Sequence, residues 1–257
     1  MNVEGTLAAT IGRVVIVGVR VGTLMVFAPF FSSTTISPRA KAGFTVALTA
    51  VLYPAIATRV PELSAARAWQ IAGGEFIVGL IMGITLQFVF EGVELAGQIV
   101  GFQIGHSLAN LINPLSEAET PILSNLYQIL ALLVFLQCNV HHWLLRGVAK
   151  SFEYCPPGSI VTSAGVASHI CQAAGGMLII AIQIAVPVLV ATIIIDLALG
   201  FLGRASPQLP VLFVGISVKS FAALLVIIGT LQSWPGFLER RFLEAVAQSE
   251  QVLHLAR

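Results

Sequence analysis

The chain has 257 residues, of which 57% are hydrophobic and 10% charged, against roughly 25% charge in an ordinary soluble domain; with a mean hydropathy of +0.93 it belongs in a membrane or a membrane-embedded assembly. A net charge of +1 with scattered basic residues leaves no electrostatic footprint for nucleic acid, and that class is excluded. Cys138, Cys155 and Cys171 stand 17 and 16 residues apart, without the close pairs that metal and redox motifs require.

In chain order, the opening "MNVEGTLAATIGRVVIVGVRVGTLMVFAPF" has Glu4 where a secretory signal wants basic charge and Arg20 inside its apolar region, so it reads as a retained first helix. Apolar runs that approach the roughly 20 residues needed to cross a hydrocarbon layer occur at about 7–31, 42–57, 71–90, 122–137, 170–203 and 211–233. The stretch 91–113 reads as a further, amphipathic helix. Connections at about 58–70 and 146–165 are too short to bury cores of their own. The expected class is all-α, with long helical hairpins associated with a membrane. The run 170–203 would be about 51 Å long if continuous, so it must tilt, kink at Pro187 or protrude. The tail "LERRFLEAVAQSEQVLHLAR" is expected to be a charged amphipathic helix projecting into water.

Ionisable residues interrupt these runs. Arg13 and Arg20, seven apart, share a helix face, and Glu75, Glu91, Glu94, His106, Asp196 and Lys219 also lie within or beside apolar helices. Charges at bilayer depth cost several kcal/mol and face protein or water, so these helices are expected to meet protein. Lys and Arg fall in nearly every connection, and no orientation follows from their asymmetry. Glycines four apart, Gly18 with Gly22, Gly79 with Gly83, and Gly97 with Gly101 and Gly105, are candidate faces for close helix packing.

Glu94, Gly97, Gln98, Gly101 and Gly105 fall on one arc of a helical wheel; Gln103, His106, Ser107, Asn110 and Asn113 fall on another. The second arc enters "GHSLANLINPLSEAETPILSN", in which Pro114 ends a helix and Pro121 begins the next. A surface hairpin is the ordinary reading. The sharper one is a re-entrant or constricting loop, since irregular backbone at membrane depth requires protein or a water-filled cavity around it.

In "QCNVHHWLLRG", His141 and His142 point about 100° apart on a helix and no nearby residue completes a ligand set, so a metal is not expected; an interfacial histidine beside Trp143 accounts for them. Signatures of zinc hydrolases, P-loops, nucleophile elbows and dinucleotide sites are absent from the sequence, and neither enzymatic chemistry nor a cofactor is expected. In "DLALGFLGRASPQLP", a hairpin turn centred between Pro207 and Gln208 puts Asp196 and Lys219 at equal depth, each about 17 Å from the turn. A pair between them is expected because a lone buried charge is costly. The alternative is that each meets a polar group on another subunit or water. Arg204 is expected to cap the helix C-terminus or to reach the membrane interface.

The order of these features resembles the FliR family of flagellar export-gate proteins, called SctT in injectisomes. The resemblance is carried by "RVGTLMVFAPFFSSTTISPRAKAGFTVALTAVLYP", "GFQIGHSLANLINP", "FLQCNVHHWLLRGVAKSFEYCPPG" and "DLALGFLGRASPQLPVLFVGISVKS". It implies a subunit of the type III export gate of the bacterial inner membrane, joined to FliP-like and FliQ-like subunits and supporting an FlhB-like switch protein, through which unfolded substrates pass. It also implies a FliP-like part over residues 1 to about 165 and a FliQ-like hairpin from about 166 to 257. A plug loop is implied at about 105–125, whose candidate residues are Gly105, His106, Ser107, Leu108, Ala109, Asn110, Leu111, Ile112, Asn113 and Pro114; several relatives carry an acid where this chain has Asn113. The rival reading is a stand-alone proton-coupled transporter with Asp196, Lys219 and Glu75 as a relay, which would ordinarily show an inverted repeat that this sequence lacks. An enzyme built on His141 or His142 with a carboxylate is weaker still.

Overall fold

The computed structural model describes residues 3–29, 37–60, 65–105, 122–159, 164–206, 208 and 211–255, and every regular element among them is helical. Helix α1 spans Val3–Phe27. Helix α2 (Pro38–Ile56) starts where Ser37 accepts the Ala40 amide and Pro38 takes the first helical position, where its missing N–H costs no hydrogen bond. A 3-10 turn, Ala57–Arg59, follows it. Helix α3 (Ala65–Gln103) has 39 residues and a length of about 58 Å. It absorbs both 71–90 and the first part of the separately expected amphipathic helix, because nothing from Phe90 to Gln103 breaks the backbone. Its end is set by Gly105 at φ 88, a left-handed conformation that glycine adopts without steric cost.

Helix α4 (Ile122–Gln137) and helix α5 (Val140–Tyr154) are separated at Asn139, which has φ 54. Most of α5 lies in what reads from sequence as a polar connection; its buried residues Val140, Leu144, Val148 and Phe152 recur every four residues and form one apolar stripe. Helix α6 (Ala164–Ala205) has 42 residues and carries Pro187 without interruption. Helix α7 (Val211–Thr230), a 3-10 turn (Leu231–Ser233) and helix α8 (Trp234–Leu255) complete the order. Four helical stretches among the described residues are long and apolar enough to cross a membrane: Thr10–Phe27, Arg67–Gln103, Gly165–Ala205 and Val214–Leu253. Helices α4 and α5 qualify only together, as an interrupted span. Helix α2, with Arg39, Lys41, Thr45 and Thr49, is not one of the four.

The chain folds into two compact units, the first made of Met1–Phe88, Asn139–Ala174 and Arg241–Arg257, the second of Val89–Cys138 and Gly175–Arg240. Each unit gathers stretches that are separated in the sequence. In the first unit α1 and α3 approach at glycines. A Cβ on Gly79 would stand 2.5 Å from the Arg20 carbonyl oxygen, and one on Gly83 would stand 2.7 Å from Phe27 Cβ. Gly18 and Gly22 face Thr49 and Thr45 of α2 at ordinary contact distance. Val17, Val21, Leu24, Val78, Ile81, Met82, Val148, Phe152, Phe242 and Leu253 fill this core.

The C-terminal helix corrects an expectation: it does not project into water. Phe242, Ala245, Val246, Ser249 and Leu253 are buried, and Val246 and Glu250 lie 3.7 and 3.5 Å from the Cβ position of Gly147 on α5. The spacing of three and four gathers these residues on one stripe, while Glu244, Gln248 and Gln251 remain exposed. The charge of this segment marks its outer face only.

In the second unit Gly92 of α3 lies against Met177 and Ile180 of α6, with the Met177 carbonyl oxygen 2.8 Å from its Cβ position, and Gly97 lies against the Ser124 backbone of α4 at 2.6 Å. Phe90 and Phe135 meet edge to face at 5.6 Å, and Tyr127 and Trp234 at 4.9 Å, an arrangement that aromatic quadrupoles favour.

Candidate functional site

The polar groups of the apolar helices gather in small constellations within each unit. In the second unit Lys219 Nζ of α7 stands 2.6 Å from Asp196 Oδ1 of α6, with side chains 19% and 43% exposed. Gln103 Nε2, the last residue of α3, donates to Asp196 Oδ2 at 3.4 Å. Around this neutralised pair the helices present Ile193, Ile194, Leu197, Phe201, Val218 and Phe221 outward. A second polar group lies on α3 and α4: Glu94 accepts from Gln98 at 3.4 Å and from Gln128 at 3.0 Å. Ser124, one turn before Gln128, is buried against Gly97, and its hydroxyl has no hydrogen-bond partner among the described residues.

In the first unit Arg20 of α1 has no solvent exposure. Its Nε donates to Glu75 Oε2 of α3 at 2.6 Å, its Nη1 to the Ser151 hydroxyl of α5 at 3.0 Å, and its Nη2 to the Cys155 carbonyl at 2.9 Å. The Phe152 ring lies 4.0 Å from the guanidinium carbon, close enough for a cation–π contact. Burying a guanidinium is tolerable only when its donors find acceptors, and here three acceptors come from two other helices and a turn. Further along α3, the Thr85 hydroxyl donates to the Ile81 carbonyl at 2.6 Å and stands 3.0 Å from His169 Nε2. With the single hydroxyl proton so engaged, the histidine nitrogen is the donor of that second bond.

Arg20 is thus brought together with Glu75, and Asp196 with Lys219. Gly79, Gly83 and Gly97 sit where a side chain would collide, whereas among the described residues Gly101 has only Leu123 Cδ1 near it, at 3.9 Å. Gly105 is a left-handed turn residue beyond the helix, not a point of its packing face. Arg204 is exposed in the last turn of α6. Of the plug-loop candidates, His106, Ser107, Leu108, Ala109, Asn110, Leu111, Ile112, Asn113 and Pro114 lie outside the described residues. The rings of His141 and His142 are 4.3 Å apart, and no group of three His, Cys, Asp or Glu placed to hold a metal occurs among the described residues. Reasoning from sequence missed Ser151, Phe152, the Cys155 carbonyl and the Thr85–His169 pair. His169, an ionisable side chain at the edge of an apolar run, was the one signal available; a helical serine and a backbone carbonyl give none.

The sequence profile of a family described as "Bacterial export proteins, family 1" matches residues 11–245. The flagellar biosynthetic protein FliR of Escherichia coli (strain K12) is 31% identical over 216 residues, covering 81% of this chain and 82% of that protein. FliR of Bacillus subtilis (strain 168) is 31% identical over 217 residues, 83% of each. The secretion system apparatus protein SsaT of Salmonella typhimurium is 28% identical over 173 residues, covering 67% of this chain and 66% of that protein.

Proposed function

We propose, from the premise that this chain belongs to family 1 of the bacterial export proteins, that it is a subunit of the flagellar type III protein export gate in the bacterial inner membrane. The observation that carries this reading is the match across residues 11–245 together with FliR proteins 31% identical over four-fifths of the chain. In this role the chain is a structural, non-enzymatic part of a channel for unfolded flagellar proteins. It joins FliP-like and FliQ-like subunits in a hetero-oligomer and supports an FlhB-like switch protein. Residues 1–165 form the FliP-like part and 166–257 the FliQ-like hairpin, and the segment from Gly105 to Pro114 is the plug that seals the channel.

The outward face of α6 and α7 supports a protein neighbour over lipid. Asp196 is 43% exposed among Ile193, Ile194 and Leu197, and a carboxylate facing acyl chains costs several kcal/mol even with a cation beside it. A neighbouring helix covers the apolar residues and keeps the Asp196–Lys219–Gln103 group away from hydrocarbon. No observation favours a stand-alone transporter.

The test is gentle purification of the tagged chain and identification of what accompanies it. Small helical subunits of the FliP and FliQ type are the expected companions. A chain that purifies alone, stable and wrapped in lipid, and that transports a solute when reconstituted, overturns the reading.

A further inference from the structure

Contacts within the first unit fix how its helices are levelled against one another. Gly18 and Gly22 of α1 face Thr49 and Thr45 of α2, so the two run antiparallel and Lys41, one turn before Thr45, is level with Val26. Gly79 and Gly83 of α3 lie against Arg20 and Phe27, which sets Val26 level with Met82. The Met82 methyl in turn stands 3.4 Å from the Cβ position of Gly147 on α5. Arg39, Lys41 and Arg146 therefore fall within about one helical turn of a single level. Trp143 lies one turn to one side, 49% exposed, with the Arg146 guanidinium carbon 5.7 Å from its ring centroid. Lys150 lies one turn to the other side, where its long stem brings the ammonium within reach of the same level. Arg39, Arg146 and Lys150 are exposed and Lys41 is half-buried.

The charge at this level is uncompensated. The stretches that meet there, 22–28, 38–45, 79–86 and 140–150, contain no Asp or Glu, and none of these four cations has an ion pair among the described residues. Glu250 of α8 approaches on the Gly147 side of α5, one carboxylate against four cations. Glu153, on the outer face of α5 with Arg146 and Lys150, is taken by Arg59 at 3.4 Å, and that pair also sets the far end of α2 beside this face. The level marks an apolar boundary as well. The part of α1 apolar enough to cross a membrane ends at Phe27, and beyond Lys41 helix α2 turns Val46 and Val51 outward, 68 and 74% exposed. From Lys41 to Val51 is about 15 Å along the helix, the depth of one leaflet. Cations and a tryptophan at the end of an apolar span suit a headgroup layer. We propose that Arg39, Lys41, Arg146 and Lys150, with Trp143 beside them, form a binding surface for the phosphate of an anionic phospholipid whose acyl chains lie along the outward face of α2. Guanidinium and ammonium groups donate to the phosphate oxygens, and the excess positive charge favours an anionic lipid over a zwitterionic one, whose headgroup brings its own cation.

The test uses the full-length protein, with whatever subunits accompany it, in vesicles of phosphatidylcholine that carry a small fraction of photoreactive phosphatidylglycerol or, in a parallel sample, the same fraction of photoreactive phosphatidylcholine. Labelled peptides are then located by mass spectrometry. Phosphatidylglycerol is expected to label α2 and α5 about fivefold or more above phosphatidylcholine, the factor that one basic residue near an anionic surface contributes. Arg39→Gln with Lys41→Gln, and Arg146→Gln with Lys150→Gln, are each expected to lower that ratio, and the four changes together to bring it to about one. Arg240→Gln, an exposed basic residue on α8 away from this level, is expected to leave it unchanged. Equal labelling by the two lipids in the parent overturns the proposal, as does a preference that survives the four changes or falls equally in Arg240→Gln. No labelling of α2 or α5 by either lipid means that a protein neighbour covers the surface, and loss of the preference in inorganic phosphate at matched ionic strength means that free phosphate is the ligand; either result overturns it. If the fourfold variant fails to insert, the two paired variants decide the question by the same ratio. The readout does not depend on which subunits are present, so its failure leaves the export-gate reading standing.

Discussion

A fully buried guanidinium, a glycine pressed on a carbonyl and a charge pair on an apolar face share one logic: each is a residue whose cost is set by its immediate neighbours. At Gly79 a methyl group would stand 2.5 Å from the Arg20 carbonyl oxygen, a rigid neighbour that cannot step aside. Gly79→Ala is therefore expected to destabilise by about 1–3 kcal/mol, as overpacking does. Gly175, helical and with nothing among the described residues within 4 Å of its Cβ position, is the control: Gly175→Ala removes backbone entropy from the unfolded chain and is expected to be neutral or stabilising by up to about 1 kcal/mol. Thermal unfolding of the two variants in detergent, followed by helical circular dichroism, reads the difference; equal melting temperatures would refute the close-packing account of Gly79. The Asp196–Lys219 pair gives a second residue-scale expectation. Asp196→Lys or Lys219→Asp alone sets like charges where opposite ones stood 2.6 Å apart and is expected to reduce recovery of assembled complex about tenfold or more, while the double swap restores much of it. Intact assembly in the single variants, or no rescue in the double, rules out a role for the pair.

Helices are where the sequence was most legible, and the exceptions have physical causes. Apolar runs became helices because a backbone away from water must satisfy its own hydrogen bonds. Asp196 and Lys219 were findable by counting from a proline-containing turn, since antiparallel helices of equal rise bring equal distances level. The pairing of Arg20 with Glu75 was not findable that way. The two are 55 residues apart, and the α1–α3 approach that joins them is set by Gly79 and Gly83, which advertise closeness without naming the partner. The separation of 91–113 from 71–90 failed because a change of polarity is not a break in the backbone. In helix α8 the charges mask the stripe of Phe242, Val246 and Leu253 opposite them. That stripe has a measurable consequence. Phe242 has no exposure, and Phe242→Ala is expected to cost about 3–5 kcal/mol, freeing α8 to proteolysis near its end while α1–α3 packing persists. Unchanged protease resistance would show that α8 adds nothing to the first unit.

For the whole molecule, the question is how a chain with so much outward apolar surface and so many polar interruptions serves as part of a gate. A closed gate must exclude ions yet yield to a passing polypeptide, which favours a small apolar constriction over a bonded lock. In the plug proposed above, Leu108, Ala109, Leu111 and Ile112 would supply such side chains, and a narrow apolar ring closes a pore by dewetting. The flanking scaffold stands on either side of them: α3 ends at Gln103, Gly105 turns the chain at φ 88, and α4 begins at Ile122. Helix α3 meets α4 at Gly97 and Ser124 and again at Glu94 and Gln128, all outside residues 106–120. Deleting residues 106–120 therefore takes away the proposed seal and leaves the packing surfaces in place. Cells carrying the deletion are expected to leak ions and small solutes, read as potassium efflux or dye entry, while the complex still co-purifies with its companions. Assembly without leak would remove the plug from this segment; leak without assembly would trace the defect to lost subunits, and in that case Leu108→Ser with Ile112→Ser, which wet the ring without shortening the loop, are expected to leak while the complex stays whole.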